Sequence, residues 1–228
     1  TEVMLGLLAK QGHQMVDSED MADVIVVNTC CFIHDAKEES IQTILEMAEY
    51  KKEGSIKALI VTGCLAQRYK QEIIDEIEEV DAVLGTTSYD KIVEAIDEAL
   101  QGHKTLEMTD IDALPLVDSK RLVTTGGHYA YLKIAEGCDK HCTYCIIPFA
   151  RGRVRSRAKE DVIREVTDLA NNGYKEVVLT GIHLSSYGKD FDDDVTLIDA
   201  IKACSKIDGI ERIRLGSLEP RIIDDEFI

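Results

Sequence analysis

Apolar and polar positions along the 228 residues fall into two alternating patterns. Short runs rich in β-branched residues, at 22–28, 57–62 and 82–85, each precede a stretch with apolar residues at helical spacing, at 36–51, 68–79 and 89–100. This alternation predicts a parallel sheet flanked by helices, since parallel neighbours need a crossover long enough to bring the chain back. Ser88 precedes the third helix as an N-cap, and Gly54 and Gly102 follow helices as C-caps.

A polar connector with Pro115 and the pair Gly126-Gly127 leads to a second alternation. Its elements are a strand at 129–135, a helix at 159–171 ended by Asn172-Gly173, a strand at 176–180, a helix at 197–206 and a strand at 212–215. Three such strands are too few to close a barrel. The expected fold is α/β, with an open parallel sheet over residues 1–126 followed by a truncated (βα) barrel of the TIM type over 127–228. The chain is expected to stop inside its second domain. Its start, Thr1-Glu2-Val3-Met4, has no basic region ahead of an apolar stretch and no initiating Met, so it reads as a cut within a longer protein.

Composition narrows the function classes. The 43 acids outnumber the 26 Lys and Arg for a formal charge of −17, which disfavours constitutive adhesion to nucleic acid or an anionic membrane. The imbalance is concentrated at the start, with 25 acids and 11 bases in residues 1–130 against 18 and 15 in 131–228. No apolar run approaches the roughly 18 residues of a bilayer span. The expectation is a cytoplasmic protein without a membrane partner. Seven cysteines in such a chain point to metal or redox chemistry rather than structural disulfides.

Three of the seven crowd together. Cys138, Cys142 and Cys145 stand at intervals of four and three on the loop that leaves the first strand of the second alternation. A cuboidal iron-sulfur cluster has four irons, so three thiolates leave one iron open to another molecule. A structural zinc site competes, with His141 or a remote cysteine as fourth ligand, although zinc ligands usually pair as CxxC knuckles in two separated halves. Inert core cysteines are the third reading, opposed by the polar Asp139, Lys140 and His141 between them.

The CxxxCxxC spacing, with Tyr144 just before the last cysteine, resembles the signature of radical S-adenosylmethionine enzymes. The wider stretch from Lys133-Ile134-Ala135-Glu136-Gly137-Cys138 to Cys145-Ile146-Ile147-Pro148, with Arg151-Gly152 and Ser156-Arg157, is similar to the methylthiotransferase family among them. The resemblance implies that Cys138, Cys142 and Cys145 hold a 4Fe-4S cluster whose open iron is chelated by S-adenosylmethionine. It also implies that Tyr144 packs near the adenine.

Cys30 and Cys64 each follow a predicted strand of the first segment, at the carboxyl ends where open α/β sheets form ligand crevices. The residues alone allow two readings, a shared site or two small apolar side chains at buried turns. The resemblance favours the first. Asn28-Thr29-Cys30 and Gly63-Cys64-Leu65-Ala66-Gln67-Arg68 match motifs that hold a second 4Fe-4S cluster in methylthiotransferases, with a third cysteine upstream of the position of Thr1. Cys31 departs from the small residue usual there and is taken as a bystander, and Cys204, in a helical pattern, as core.

Other features have a bland reading beside the functional one. Arg151, Arg153, Arg155, Arg157 and Lys159 alternate, so an extended chain would project all five from one face, to contact phosphates or to guard a sheet edge. Gly181 would let a cofactor approach the backbone at a strand end, and His183 would face substrate or merely solvent. Asp192-Asp193-Asp194 reads as capping of the helix that follows. No residue is assigned a catalytic role.

The resemblance further implies sulfur insertion into a C–H bond followed by methylation, an electron donor such as flavodoxin or ferredoxin, and a monomer. Up to about residue 148, Ala36-Lys37-Glu38-Glu39-Ser40 and Leu65-Ala66-Gln67-Arg68-Tyr69 resemble the branch that modifies an aspartate of a small-subunit ribosomal protein. From Phe149 on, the run from Gly181 to Gly188 and Arg212-Ile213-Arg214-Leu215-Gly216-Ser217-Leu218-Glu219-Pro220 resemble the tRNA branch acting on threonylcarbamoyladenosine beside the anticodon. The ribosomal-protein substrate is preferred, since it accounts for more of the chain and suits a charge of −17.

Overall fold

Residues 58–63, Ala-Leu-Ile-Val-Thr-Gly, are apolar on both faces of a strand, as a sheet covered by helices on both sides requires. The computed structural model describes residues 1–114, 121–225 and 227 and bears this out; Pro115, assigned above to the connector, lies outside them. The chain divides into two compact units, Thr1–Leu122 with Cys142–Arg151, and Val123–His141 with Gly152–Ile228.

The first unit runs α1 (Glu2–Lys10), β1 (Val24–Thr29), α2 (His34–Lys52), β2 (Ala58–Gly63), α3 (Cys64–Tyr69), α4 (Gln71–Glu76), β3 (Ala82–Leu84), α5 (Ile92–Leu100) and β4 (Thr105–Glu107). All neighbouring strands are parallel, in the order β1-β2-β3-β4. Alternate residues of β2 enter opposite cores. Leu59 and Val61 pack with Ile44 and Ala48 of α2 and with Leu65 and Ala66 of α3, whereas Ala58 and Ile60 pack with Met4 and Leu8 of α1 and with Ile92 and Ile96 of α5. Each fully buried Ile or Leu contributes about 1.5–3 kcal/mol, so β2 anchors both layers.

Local details differ from the pattern. The helix expected at 68–79 is two short helices, because Lys70 at φ +41° lies in the left-handed region and turns the chain between α3 and α4. Ser88 does not cap by its side chain; its Oγ accepts from the Thr109 N–H at 2.9 Å. Gly54 and Gly102 do follow their helices with φ of +77° and +84°.

The second unit contains β5 (Tyr129–Glu136), β6 (Arg155–Ser156), α7 (Lys159–Asn171), β7 (Glu176–Gly181), α8 (Leu197–Cys204) and β8 (Arg212–Leu215), while α6 (Ile147–Arg151) belongs to the first. The strand order is β6-β5-β7-β8, with β5, β7 and β8 parallel and β6 antiparallel at one edge. Leu132 and Ile134 of β5, Val177 and Leu179 of β7, Val162 and Val166 of α7, and Leu197 and Cys204 of α8 form one core. This is the expected partial barrel, its helices on one side of the sheet's strands in sequence order. Cys204 is fully buried, and desolvation pushes its thiol up to about 11, as a core cysteine requires.

The arginine alternation at 151–159 does not form an extended strip. Arg151 ends α6, Arg155 is buried in β6 with its Nη1 donating to the Arg153 carbonyl, Arg157 pairs with Glu165 at 2.7 Å, and Lys159 opens α7. Helical positions break the period of two that the projection needs. The run Asp192-Asp193-Asp194 does not cap α8 either. Thr196 is the N-cap, in a reciprocal capping box with Asp199, and Asp193 Oδ1 accepts from the Val195 N–H at 3.3 Å.

Candidate functional site

In the first unit, β1 and β2 end in step, with Thr29 opposite Gly63, so Cys30 and Cys64 emerge one residue beyond the last paired position of adjacent strands. Three contacts hold this edge. Thr29 Oγ1 donates to the Thr62 carbonyl at 2.6 Å. The Cys30 N–H donates to Ser40 Oγ of α2 at 2.9 Å. Gly63, at φ +99°, has no room for a side chain because the Thr29 backbone and the Asn28 side-chain oxygen fill that space. Cys64 then opens α3.

One thiol at this edge is perturbed by its neighbours. Cys31 is buried, and desolvation first, then the neighbouring Cys64 and Cys30, pushes its thiol up to about 11 against the opposing pull of Arg68 and Arg151. Cys31 therefore shares the neighbourhood of Cys30 and Cys64 while its side chain belongs to the core. Arg151 Nε donates to Cys64 Sγ at 3.0 Å. Two thiols at paired strand ends, one receiving an N–H donor, are a soft donor set that suits iron and sulfide.

The triplet loop is divided between the units. Cys142 and Cys145 belong to the first, in a turn closed by the Cys145 N–H donating to the Cys142 carbonyl at 3.0 Å, and Tyr144 between them is 89% exposed. Cys138 belongs to the second, where its N–H donates to the Gly152 carbonyl at 3.0 Å. Gly137 before it adopts φ +70°, and an added Cβ would fall on the Arg153 carbonyl. All three cysteines are free thiols. Asp139 is engaged elsewhere, its Oδ1 accepting from the Val154 N–H at 3.0 Å, and Lys140 pairs with Glu219. The chemistry of the donor set, three thiols with the adjacent Asp139 and Lys140 tied to other partners, fits an iron-sulfur cluster with one open iron. Among the described residues no three His, Cys, Asp or Glu side chains stand close enough together to hold a metal ion as they are.

Charged groups of the second unit gather where its parallel strands end. Lys140 follows β5, His183 follows β7 and Glu219 follows β8. Glu219 is held below the usual carboxylate range by Lys140 first and by His183 second. His183 Nε2 lies 3.3 Å from Glu219 Oε1 without hydrogen-bond alignment, and its Nδ1 is 2.5 Å from Ser186 Oγ. Nothing in the local pattern around His183 marks Glu219 as its neighbour, because Glu219 comes from a loop 36 residues away. Gly181 ends β7, and an added Cβ would meet the Ala135 Cβ at 3.1 Å, which gives this glycine a packing reason of its own.

Residues 1–85 match the family described as Uncharacterized protein family UPF0004, and residues 132–227 match the Radical SAM superfamily. The chain is 56% identical over 228 residues to the ribosomal protein uS12 methylthiotransferase RimO of Lachnoclostridium phytofermentans, covering 100% of this chain and 52% of that protein. The chain is thus similar over its whole length to part of the radical S-adenosylmethionine methylthiotransferases. Proteins of the same name from Acetivibrio thermocellus and Clostridioides difficile are 47% and 44% identical, again over the whole chain and 52% and 51% of their own length. The chain thus spans about half the length of the curated methylthiotransferases it matches.

These relatives carry one name on both sides of Phe149. The expected change to a tRNA-modifying branch at that point is not supported: identity runs through the junction to ribosomal-protein methylthiotransferases from end to end. In fold, the chain is similar to the radical S-adenosylmethionine methyltransferase TsrM of Kitasatospora setae, solved with cobalamin and a 4Fe-4S cluster. The TM-score is 0.55 at 15% identity, covering 91% of this chain and 46% of that one. Among the described residues no helix is long and apolar enough to cross a membrane.

Proposed function

We propose that the chain is the cluster-bearing part of a radical S-adenosylmethionine methylthiotransferase that modifies an aspartate of ribosomal protein uS12. The observation that carries this reading is the end-to-end identity to methylthiotransferases of that name, running through the CxxxCxxC loop. A formal charge of −17 supports it, since a basic ribosomal protein complements such a surface and polyanionic RNA does not.

In this reading Cys138, Cys142 and Cys145 hold one 4Fe-4S cluster, and Cys30 and Cys64, with a third cysteine from upstream of Thr1, hold a second. When bound, such clusters would supply electron-transfer chemistry toward S-adenosylmethionine and the sulfur for insertion into a C–H bond. The residues of the chain bind, orient and shield. Tyr144 would pack near the adenine of the cofactor, and Gly181 would be a cofactor-binding residue. Ser40 and Thr29 keep the Cys30 and Cys64 strand ends in step. Flavodoxin or ferredoxin is the electron donor, and the protein acts as a cytoplasmic monomer.

The test uses the protein at the length of its curated relatives, reconstituted with iron and sulfide without oxygen and offered uS12 and tRNA in parallel. A methylthio increment on a uS12 aspartate by mass spectrometry is the expected result, with loss of the brown colour of the first cluster in Cys142→Ala. A methylthio group on tRNA alone, or on neither, rules out the proposed substrate. A colourless protein with stoichiometric zinc rules out the cluster itself.

A further inference from the structure

Arg151 stands six residues beyond Cys145, in the segment that leaves the triplet loop, yet its side chain ends on a cysteine from the other motif. Its Nε donates to Cys64 Sγ at 3.0 Å. The contact is built by the fold of the first unit. Helix α6 lies against α3, Ala150 is fully buried between them, and its carbonyl accepts from Thr86 Oγ1 at 3.0 Å. The Thr86 N–H in turn donates at 3.0 Å to Oε1 of Gln67, a buried residue of α3 itself. The chain Gln67–Thr86–Ala150 sets α6 on α3, and the next residue of α6 delivers its guanidinium to the first residue of α3. A half-buried guanidinium aimed at a sulfur by a hydrogen-bonded network is a built contact rather than a surface encounter.

We propose that Arg151 is a positioning residue for the second cluster: it donates to the Cys64 sulfur that ligates iron and so orients that ligand and sets the reduction potential of the cluster. This rests on the reading that Cys64 is a ligand. Hydrogen bonds to ligand sulfurs draw off charge and favour the reduced, more negative cluster, so they raise the potential. Because Arg151 and Cys145 are carried by one short segment, the same stretch of chain bears a ligand of the first cluster and a donor to a ligand of the second.

The experiment is an anaerobic redox titration followed by electron paramagnetic resonance, on the reconstituted protein at the length of its relatives. Cys138, Cys142 and Cys145 are replaced by Ala in every variant so that only the second cluster reports. Cys64→Ala tests the underlying reading; full iron content with an unchanged spectrum there would remove Cys64 from the ligand set. With Cys64 established, Arg151→Gln is expected to keep iron and shift the potential to more negative values with altered g-values. Arg151→Lys, which retains a cationic donor, is expected to recover part of the shift. An unchanged potential and spectrum in both variants would overturn the positioning role. An equal shift in Lys and Gln would also overturn it, since the donor would then be irrelevant.

Discussion

Thr29 Oγ1 donates to the Thr62 carbonyl at 2.6 Å, a bond across two parallel strands made one residue before Cys30 and two before Cys64. The same oxygen accepts from the Ala66 N–H of α3 at 3.3 Å, so one buried hydroxyl joins β1, β2 and the helix that starts with Cys64. Thr29→Val preserves shape and removes both bonds, leaving a buried carbonyl and N–H without this partner. The expected cost is about 1–3 kcal/mol, read as a lower midpoint in urea unfolding. A midpoint unchanged from the parent would show that the hydroxyl carries no stability.

Ser40 acts on Cys30 through the backbone. Its Oγ accepts from the Cys30 N–H at 2.9 Å and lies 2.8 Å from the Ala36 carbonyl and 3.1 Å from the Cys30 carbonyl. Ser40→Ala is expected to destabilise by roughly 1 kcal/mol and to speed alkylation of Cys30 by iodoacetamide, as the turn is freed. Mass spectrometry of the tryptic peptide measures the rate; equal rates would contradict the clamp.

Gly137 precedes Cys138 in the left-handed region with the Arg153 carbonyl where a Cβ would stand. Gly137→Ala must move the backbone of one loop or the other. We expect a loss of at least 1–3 kcal/mol, the range for strained backbone, and weaker iron binding at the triplet. Gly173→Ala, also at positive φ but with open space around it, is the control and should cost less.

Glu176 is buried at the start of β7 and receives Arg214 Nε at 2.8 Å and Arg212 Nη1 at 3.1 Å from β8. The Arg214 hydrogen bond first holds its carboxyl below the usual range, despite the opposing effect of desolvation. A depressed folded value means the stabilisation is complete above the ordinary glutamate pKa of about 4.3. It is lost as pH falls through the lower folded value. Glu176→Gln should therefore lower stability near neutrality and flatten the acid limb of the stability-pH curve. Parallel acid limbs for variant and parent would exclude this pair as their source.

Periodicity was enough for most of the fold. The parallel strands with flanking helices, and the positive-φ glycines that close α2, α5 and α7, follow from local chemistry that acts over a few residues. It was least informative where elements are too short for a period to register, as in β4, β6 and α6, or where one residue such as Lys70 breaks a helix. The candidate ligands were legible for a different reason: Cys138, Cys142 and Cys145 are spaced by covalent sequence, and Cys30 and Cys64 each end a recognisable strand.

What the sequence determined by itself is the set of donors and the sheet that carries them, since strand ends and cysteine intervals are properties of neighbouring residues. What only the tertiary structure decided is who meets them. Arg151 reaches Cys64 across 87 residues, and Glu219 reaches Lys140 across 79. The arginine alternation, read along the chain, points to an extended strip instead. Such contacts depend on how helices settle on a sheet, and a hydrogen bond to sulfur is made by the packing that surrounds it rather than by the local pattern on either side.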